Sequence, residues 1–335
     1  MNTRTTIVVA LAMAFAGTMA NTAANAQQIK IRLAGAAAPS HPFSKGAEMW
    51  KQAVEKKTGG KVEVLLFLNR QLGDDRQVLE ATVAGTVDAA LPSSVLFPLV
   101  VKKASFDALQ LPFMISSYDN LAKVFVSPGA QALLDDLSSA GLKGLALFEG
   151  GQRHFLSAKG SVQKIADFKG LKTRIVPVPL HKAIWDATGA SPVGIAYGEV
   201  YTSLQTKVID AVEINVSSVE GENMWEPAKH FSLTGHYFWP AVLVFNKARF
   251  DKLPPEVQKA MSEAGREVTV PQVMLAKKDE ADQAEALKKK GVQFYQFGEM
   301  QQMRALMKPI VDQWSAKDKT IAAFVNDVNR IETGK

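Results

Sequence analysis

Residues 62–91 read VEVLLFLNRQLGDDRQVLEATVAGTVDAAL, and the order of patterns in this stretch decides the fold class. Large apolar side chains recur at every second position of 62–66, which predicts a strand. Asp74-Asp75 is a helix N-cap signal, and the helix that follows ends at Gly85. A short strand is predicted at 87–91. Strand, helix and strand in this order indicate an α/β fold with a largely parallel sheet.

The flanking sequence extends the same pattern in both directions. Ile29 to Leu33 alternate as a first strand, and a helix with apolar positions from Phe43 to Val54 ends at Gly59-Gly60. Pro254-Pro255 are placed to begin a long helix. The remaining predicted elements are strands at 142–148 and 171–176, a helix at 180–188, the long helix from 255 towards 290 with a kink or split at Pro271, and an amphipathic helix at 299–331.

A weak internal repeat relates two parts of the chain. Residues 78–89 correspond to residues 200–211, and both segments predict a helix, a tight turn and a strand that opens on Asp-Ala. The repeat predicts two similar α/β lobes with a cleft between them, an architecture that closes on a ligand by hinge motion. Gly150-Gly151, directly after a predicted strand, is suited to a crossover between the lobes.

The N-terminus has the pattern of a signal peptide. Arg4 precedes an apolar run from Ile7 to Ala20, and Ala24-Asn25-Ala26 forms an A-x-A cleavage site. The run is shorter than the roughly 20 residues that span a bilayer. We therefore expect residues 1–26 to be removed near Ala26, giving a soluble periplasmic protein. An uncleaved anchor is the alternative.

Composition excludes several function classes. The chain of 335 residues has no cysteine, which rules out zinc–thiolate sites, cysteine nucleophiles and Fe–S clusters. The net charge of +6 is mild and comes without a basic run interleaved with aromatics, so no nucleic-acid binding is expected. The five histidines lack metal-ligand spacing, and no G-x-S-x-G elbow, Walker loop or dinucleotide fingerprint occurs. No metal, no cofactor and no enzymatic activity are predicted.

Two arginines are in unusual sequence contexts. Arg153 follows the paired glycines, and Arg174 lies inside an apolar strand. A guanidinium there needs a partner, because an unpaired buried charge is costly. Its planar fork matches a carboxylate, which could belong to the protein core or to a ligand, and the residues alone leave both open. His154 is either an acid–base group or a residue that lines a pocket.

Short motifs in a fixed order make the mature chain resemble a known family. The chain resembles the solute-binding proteins of TRAP (tripartite ATP-independent periplasmic) transporters. The motifs that carry the resemblance are Ser40-His41-Pro42, Gln71-Leu72-Gly73, Leu109 to Phe113, Gly151 to His154, Asp167 to Arg174, Gly189 to Pro192 and Gly198 to Asp210.

The resemblance implies a fold and a function. The fold would be a two-lobe periplasmic binding protein of type II-like architecture, with a cleft between the lobes and a long bridging helix. One lobe would comprise 27–150 and about 240–280, and the other 151–239 and about 281–335. The ligand would be a small carboxylate, and the partners would be the small and large integral membrane subunits of the transporter. The protein itself is expected to be a monomer.

The resemblance also implies site residues. Arg174 matches the arginine that pairs with the ligand carboxylate, and Arg153 matches a second arginine that contacts the ligand or supports the first. The family's D-G-x-E-N pattern is replaced here by D-A-V-E-I-N at 210–215, which places Ile214 where an asparagine commonly touches the ligand. If Ile214 faces the cleft, the ligand should be less polar. If Asn215 faces it instead, that argument fails. The other candidate ligand-binding residues are His41, Ser93, Ser94, His154, Glu213 and Tyr237.

Other readings stay open at this point. The same two-lobe fold would suit the binding subunit of a different transport system. A secreted α/β enzyme acting on a carboxylate, or a ligand sensor that docks on a receptor, are alternatives from other classes. C4-dicarboxylates, keto acids, sugar acids and aromatic acids are all compatible with the sequence.

Overall fold

The structure, a computed structural model, describes residues 28–334. The predicted signal peptide and its cleavage site lie outside the described residues. The strands are β1 (Ile29–Ala34), β2 (Val62–Phe67), β3 (Ala89–Ala90), β4 (Leu142–Ser157), β5 (Lys172–Ile175), β6 (Ser191–Gly194), β7 (Ala211–Asn215), β8 (His230–Leu233), β9 (Phe238–Asn246) and β10 (Gln293–Gln296). The helices are α1 (Pro42–Lys57), α2 (Asp75–Val83), α3 (Phe97–Val100), α4 (Tyr118–Phe125), α5 (Pro128–Asp136), α6 (Pro179–Ala187), α7 (Val200–Gln205), α8 (Val216–Gly221), α9 (Lys247–Phe250), α10 (Pro255–Lys289), α11 (Met300–Ser315) and α12 (Lys319–Thr333).

The first lobe is built on the sheet β2-β1-β3-β9-β4. The side chains of Ile31 and Leu33 face the core at every second position of β1, as the alternation predicts. α1 begins with Pro42 at its first position and buries Trp50, whose indole N–H donates to the carbonyl of Met261 over 3.2 Å. The local sequence therefore determines both the strands and the helix that covers them.

The second lobe contains β4, β7, β5 and β6, with β8 and β10 alongside. Strand β4 belongs to both sheets, because its first part pairs with β9 and residues 153–157 pair with β7. The sequence predicted that this strand ends at Phe148. Instead the chain stays extended through an irregularity between Glu149 and Gln152, where Gly151 has φ +123°. A glycine is needed there, since other residues rarely adopt that conformation.

The sheet is mixed, which corrects the prediction of a largely parallel one. β1 pairs in parallel with β2 and β3, and β5 pairs in parallel with β6 and β7. The antiparallel pairs all involve β4 or β9. These two strands connect the lobes, and the parallel units lie on either side of them.

The internal repeat is present in the structure. Gly85 and Lys207, at corresponding positions, both have positive φ, +76° and +61°. The aspartates that follow each turn also act alike: Asp88 accepts the N–H of Arg32 over 2.8 Å, and Asp210 accepts the N–H of Lys172 over 3.1 Å. In each lobe, therefore, the aspartate after the turn accepts a backbone hydrogen bond from the neighbouring parallel strand, which is β1 in the first lobe and β5 in the second.

Helix α10 runs unbroken through Pro271, so the predicted split does not occur. It packs against α1 and β4 and also against α8. These contacts stabilise the helix and compensate for the backbone hydrogen bond that Pro271 removes. The tail forms two helices rather than the single amphipathic helix predicted. The assignment of 281–335 to the second lobe stays a prediction, and the packing of α12 against α4 and α5 favours the first lobe for residues 319–333.

Candidate functional site

A cavity of about 140 Å³ lies between the two lobes. A cavity needs roughly 10–15 Å³ of volume to hold one water molecule, so this cavity has room for a small organic molecule. The first lobe contributes His41, Phe43, Asp74, Asp75, Arg76, Ser93, Val95 and Leu96 to its walls, and the second lobe and the crossover strands contribute Arg153, Arg174, Val176, Pro177, Tyr197, Ser218 and Trp239.

Arg153 is neutralised by the protein itself. Its Nε donates to Oε2 of Glu213 over 2.7 Å, and its Nη2 donates to the carbonyl of Glu213 over 2.5 Å. Nη1 donates to Oδ1 of Asn215 over 3.3 Å, and the guanidinium carbon lies 3.9 Å from the ring centroid of Trp239. Burial alone would raise the pKa of Glu213, but the charge of Arg153 holds it well below the usual range. The pair is therefore ionised and internally balanced.

Arg174 is buried without a carboxylate partner in the described part of the chain. It is 2% exposed, and its only hydrogen bond within residues 28–334 runs from Nε to the carbonyl of Ile195 over 2.8 Å. Its terminal nitrogens have no hydrogen-bond or ion-pair partner in the described part of the chain, and the side chain lines the cavity. Burial lowers the pKa of Arg174 to about 10, which still leaves it protonated at neutral pH. A buried guanidinium fork of this kind is suited to a carboxylate that enters the cavity.

His41 connects the cavity wall to helix α1. It is the N-cap residue, and its Nδ1 accepts the N–H of Phe43 over 3.2 Å, while Nε2 lies 3.4 Å from Oγ of Ser218 in the second lobe. Burial and the charge of Arg153 lower the pKa of His41 to about 3. The imidazole is therefore neutral and can serve as a hydrogen-bonding group but not as a cation.

Asp75 faces the cavity from the first turn of α2. Its Oδ2 accepts the N–H of Ser93 over 3.3 Å, and its Oδ1 has no hydrogen-bond partner among the described residues. Removal from bulk water, together with the charge of Asp74, raises the pKa of Asp75 to about 7. The hydroxyl of Ser93 is buried and also without a partner in residues 28–334. Two polar groups in this wall are therefore available to a ligand.

The structure brings together some of the predicted site residues and separates others. Arg174, Arg153, His41 and Ser93 line the cavity. Glu213 and Asn215 lie behind Arg153, and the hydroxyl of Tyr237 donates to Glu213 over 3.0 Å. The remaining polar candidates lie away from the cavity: Ser94 accepts from Gln110 over 3.4 Å, and His154 accepts the N–H of Gly235 over 3.0 Å.

Ile214 does not line the cavity, which corrects the argument that rested on it. Its side chain is 0% exposed and belongs to the hydrophobic core of the second lobe, with Leu204 and Phe231 among its neighbours. Because side chains alternate along β7, Glu213 and Asn215 point the other way, towards Arg153. The inference that Ile214 makes the ligand less polar is therefore wrong.

Sequence reasoning missed several cavity residues. Trp239 lies in β9, a strand that is apolar along most of its length, so no local signal separates it from the core. Asp75 was interpreted as a helix cap, and its neighbour Asp74 does cap α2. The signal that could have identified Asp75 is its position directly after a strand and loop at the edge of a parallel sheet.

Two lobes that enclose a small cavity with a buried, unpaired guanidinium are the arrangement of a ligand-binding protein. Residues 33–318 match the family described as bacterial extracellular solute-binding protein, family 7, and the chain belongs to this family. The predicted resemblance is therefore confirmed. The family comprises periplasmic binding proteins of TRAP transporters.

Curated relatives and solved structures agree with this assignment. The C4-dicarboxylate-binding periplasmic protein DctP of Rhodobacter capsulatus is 33% identical over 267 residues, which cover 79% of each chain. The 2,3-diketo-L-gulonate-binding periplasmic protein YiaO of Escherichia coli is 30% identical over 247 residues, covering 74% of this chain and 75% of YiaO.

Among solved structures, a TRAP periplasmic solute-binding protein of Chromohalobacter salexigens with bound D-glucuronate has a TM-score of 0.83 at 28% identity, covering 90% of this chain and 99% of that one. The sugar acid binding protein DctPAm of Advenella mimigardefordensis, in complex with galactonate, shares the fold with a TM-score of 0.85 at 24% identity, over 91% and 99% of the two chains. The two-lobe fold is confirmed.

Proposed function

We propose that the protein captures a small organic acid in the cavity between its lobes and delivers it to a TRAP-type membrane transporter. The partners would be the small and large integral membrane subunits. Export would depend on residues 1–26, with cleavage near Ala26. Within residues 28–334 no helix is long and apolar enough to cross a membrane.

The observation that carries the proposal is the contrast between two buried arginines. Arg153 has its own carboxylate in Glu213 at 2.7 Å, whereas the fork of Arg174 opens into the cavity without one. A buried cation without a partner is costly, and a ligand carboxylate supplies the missing partner with two parallel hydrogen bonds. A function in which an anion enters the cavity accounts for this arrangement.

The relatives support a carboxylate as the ligand class. The ligands named for these proteins are a C4-dicarboxylate, 2,3-diketo-L-gulonate, D-glucuronate and galactonate, all of which are organic acids. We propose Arg174, Arg153, His41 and Ser93 as ligand-binding residues of this chain. Glu213, Asn215 and Tyr237 are proposed to hold Arg153 in place rather than to touch the ligand.

Binding without chemistry is also part of the proposal. No group of three or more His, Asp or Glu side chains that could hold a metal occurs within the described residues. His41 is neutral and buried, and its Nδ1 accepts the N–H of Phe43, so it lines the cavity as an uncharged group. A secreted enzyme acting on a carboxylate is the alternative, and it would convert its ligand instead of returning it unchanged.

The test is mass spectrometry of the ligand that co-purifies with the protein, followed by calorimetry with that compound. We expect a carboxylic acid that is released chemically unchanged and that binds at least about tenfold more weakly to Arg174→Ala. A neutral or cationic ligand, an affinity that does not depend on Arg174, or turnover of the ligand would overturn the proposal.

A further inference from the structure

Apolar side chains form much of the cavity wall. Phe43, Val95 and Leu96 line the side of the first lobe. Val176 and Trp239 line the side of the second lobe and the crossover strands. All five are at most 8% exposed. A ligand that fills the cavity therefore buries much of its surface against carbon atoms.

Three charged side chains of the wall are already engaged by the protein. Arg153 pairs with Glu213 at 2.7 Å, and Arg76 pairs with Glu80 at 2.9 Å. Asp74 caps helix α2 through its side chain. A ligand gains little from such groups, because each new hydrogen bond would replace an existing one.

A further set of polar side chains is shared between the lobes. Nε2 of His41 lies 3.4 Å from Oγ of Ser218, and the side chain of Ser218 also hydrogen-bonds that of Tyr197. These three residues line the cavity and supply hydrogen-bond partners to one another.

Within residues 28–334, the polar groups of the wall that lack partners lie at two places. One is the guanidinium fork of Arg174. The other is Oδ1 of Asp75 together with the neighbouring hydroxyl of Ser93. The first place suits the ligand carboxylate, and the second serves one further polar group. An acid with several hydroxyls would leave most of them against apolar side chains.

We infer that the cavity selects acids in which one carboxylate is joined to a largely apolar body, such as a branched-chain, alicyclic or aromatic acid, and discriminates against polyhydroxylated acids. The inference rests on the proposed function, because it assumes that the carboxylate binds Arg174. Val95, Leu96 and Val176 become specificity-determining residues. The solved structures with bound D-glucuronate and galactonate share the fold of this chain, but a fold alone does not determine the ligand.

The physical reason is the cost of burying a hydroxyl without a partner. A hydroxyl that leaves water for an apolar wall loses its hydrogen bonds, whereas a methylene in the same place is stabilised by leaving water. Each hydroxyl beyond the one that Asp75 and Ser93 can serve adds to the difference. We therefore expect a polyhydroxylated acid to bind at least about tenfold more weakly than the apolar acid with the same carbon skeleton.

The experiment compares acids that have one carboxylate and the same carbon skeleton. Hexanoate and gluconate form one pair, and cyclohexanecarboxylate and quinate form the other. Calorimetry at several temperatures gives the affinity and the heat-capacity change of binding for each acid. We expect the apolar member of each pair to bind at least about tenfold more tightly, with the more negative heat-capacity change that burial of apolar surface produces.

A double variant tests whether the apolar wall causes the preference. Val95→Thr combined with Val176→Thr adds one hydroxyl to the wall of each lobe at nearly unchanged volume. The preference for the apolar acid should fall at least about threefold, because the new hydroxyls offer partners to those of the ligand. The matched control, Val62→Thr combined with Val292→Thr, changes one buried valine of each lobe outside the cavity and should leave the preference unchanged.

The outcomes separate this inference from the proposed function. If polyhydroxylated acids bind as tightly as their apolar partners, or if the double variant keeps the wild-type preference, the inference is overturned while carboxylate binding stands. If none of the four acids binds, the co-purified acid decides: at most one hydroxyl supports the inference, and two or more overturn it. If Arg174→Ala leaves binding intact, the proposed function fails as well.

Discussion

Arg70 and Glu222 form a bidentate ion pair between the two lobes, beside the cavity. Nη1 of Arg70 lies 2.9 Å from Oε1 of Glu222, and Nη2 lies 2.8 Å from Oε2. Arg70 follows β2 in the first lobe, and Glu222 ends α8 in the second. The guanidinium carbon of Arg70 also lies 5.5 Å from the ring centroid of Tyr197, which lines the cavity. The pair therefore joins the two lobes next to the cavity.

Removing the charge of Glu222 should speed ligand release. Glu222→Gln keeps the shape of the side chain and loses the paired charge, so the closed state becomes less favourable. We expect the dissociation rate to rise roughly three- to tenfold, which corresponds to about 1 kcal/mol, with little change in the association rate. Surface plasmon resonance with the co-purified acid measures both rates.

The matched control is Asp136→Asn, which breaks an ion pair with Lys103 inside the first lobe. It should leave both rates unchanged.

Small-angle scattering should also show a smaller radius of gyration for the wild type when ligand is saturating. An unchanged radius in a sample with confirmed binding would contradict closure of the lobes.

Arg174→Met should separate binding from stability. The variant loses the carboxylate partner of the ligand, so affinity should fall at least about tenfold, and Arg174→Lys should also bind more weakly because an ammonium cannot reproduce the fork. The ligand-free variant should be at least as stable as the wild type, since an apolar side chain replaces an unpaired buried charge. Calorimetry and urea unfolding of ligand-free protein measure the two effects.

Arg153→Met provides the opposite case. It leaves Glu213 buried without its partner, so the free energy of unfolding should fall by about 3–5 kcal/mol. If Arg174→Met proved as destabilising as Arg153→Met, the distinction between an arginine that lacks a carboxylate of the protein and one that is paired with Glu213 would be wrong.

Ile214→Asn should reduce stability and leave ligand selectivity unchanged. The amide would be buried among apolar side chains without a partner, at a cost of roughly 1–3 kcal/mol in addition to lost packing. Ile214→Val, a smaller change at the same position, should cost about 0.5–1.5 kcal/mol. Thermal-shift screens of all three proteins against the same acids test this prediction. A preference for hydroxylated acids in the asparagine variant would contradict it, because it would mean that residue 214 lines the cavity.

Glu149 should give the stability a specific pH dependence. Its Oε1 accepts the N–H groups of Gly151 and Trp239, yet burial raises the pKa of Glu149 to about 8 from an ordinary value of 4.5. Between these values the folded state keeps a proton that the unfolded state has lost, so this group makes stability fall as pH rises through the window.

Glu149→Gln removes that proton uptake. The free energy of unfolding of the wild type minus that of the variant should fall by about 3–4 kcal/mol from pH 5 to pH 9 and stay constant above pH 9. Urea unfolding at a series of pH values gives the difference directly. A flat difference for Glu149→Gln would show that this carboxyl group is ionised in the folded state and would contradict the prediction.

Local patterns were sufficient for the elements that form from neighbouring residues. The alternation in β1 and β2, the cap and glycine that bound α2, and the proline that opens α10 all depend on contacts within a few residues. The repeat could also be recognised, because the same turn and the same aspartate contact recur in both lobes. These features predicted an α/β protein with two related lobes.

The cavity required information that local patterns do not contain. Trp239 meets Arg153 only because β9 and β4 pair across a long sequence distance. Whether Ile214 or Asn215 points towards Arg153 depends on the register of β7 against β4, and one residue of slip exchanges the two. The choice of an internal partner for Arg153 and none for Arg174 likewise depends on where β7 places Glu213.

The sharing of β4 has a consequence for recombination. The sheet of the first lobe takes strands from residues 29–90, from the start of β4 and from β9, so neither lobe is a continuous segment of the chain. A chimera with a single junction would join part of a lobe from one parent to the rest of that lobe from another. Exchange of a complete lobe between relatives therefore needs matched junctions in β4, β9 and α10 together.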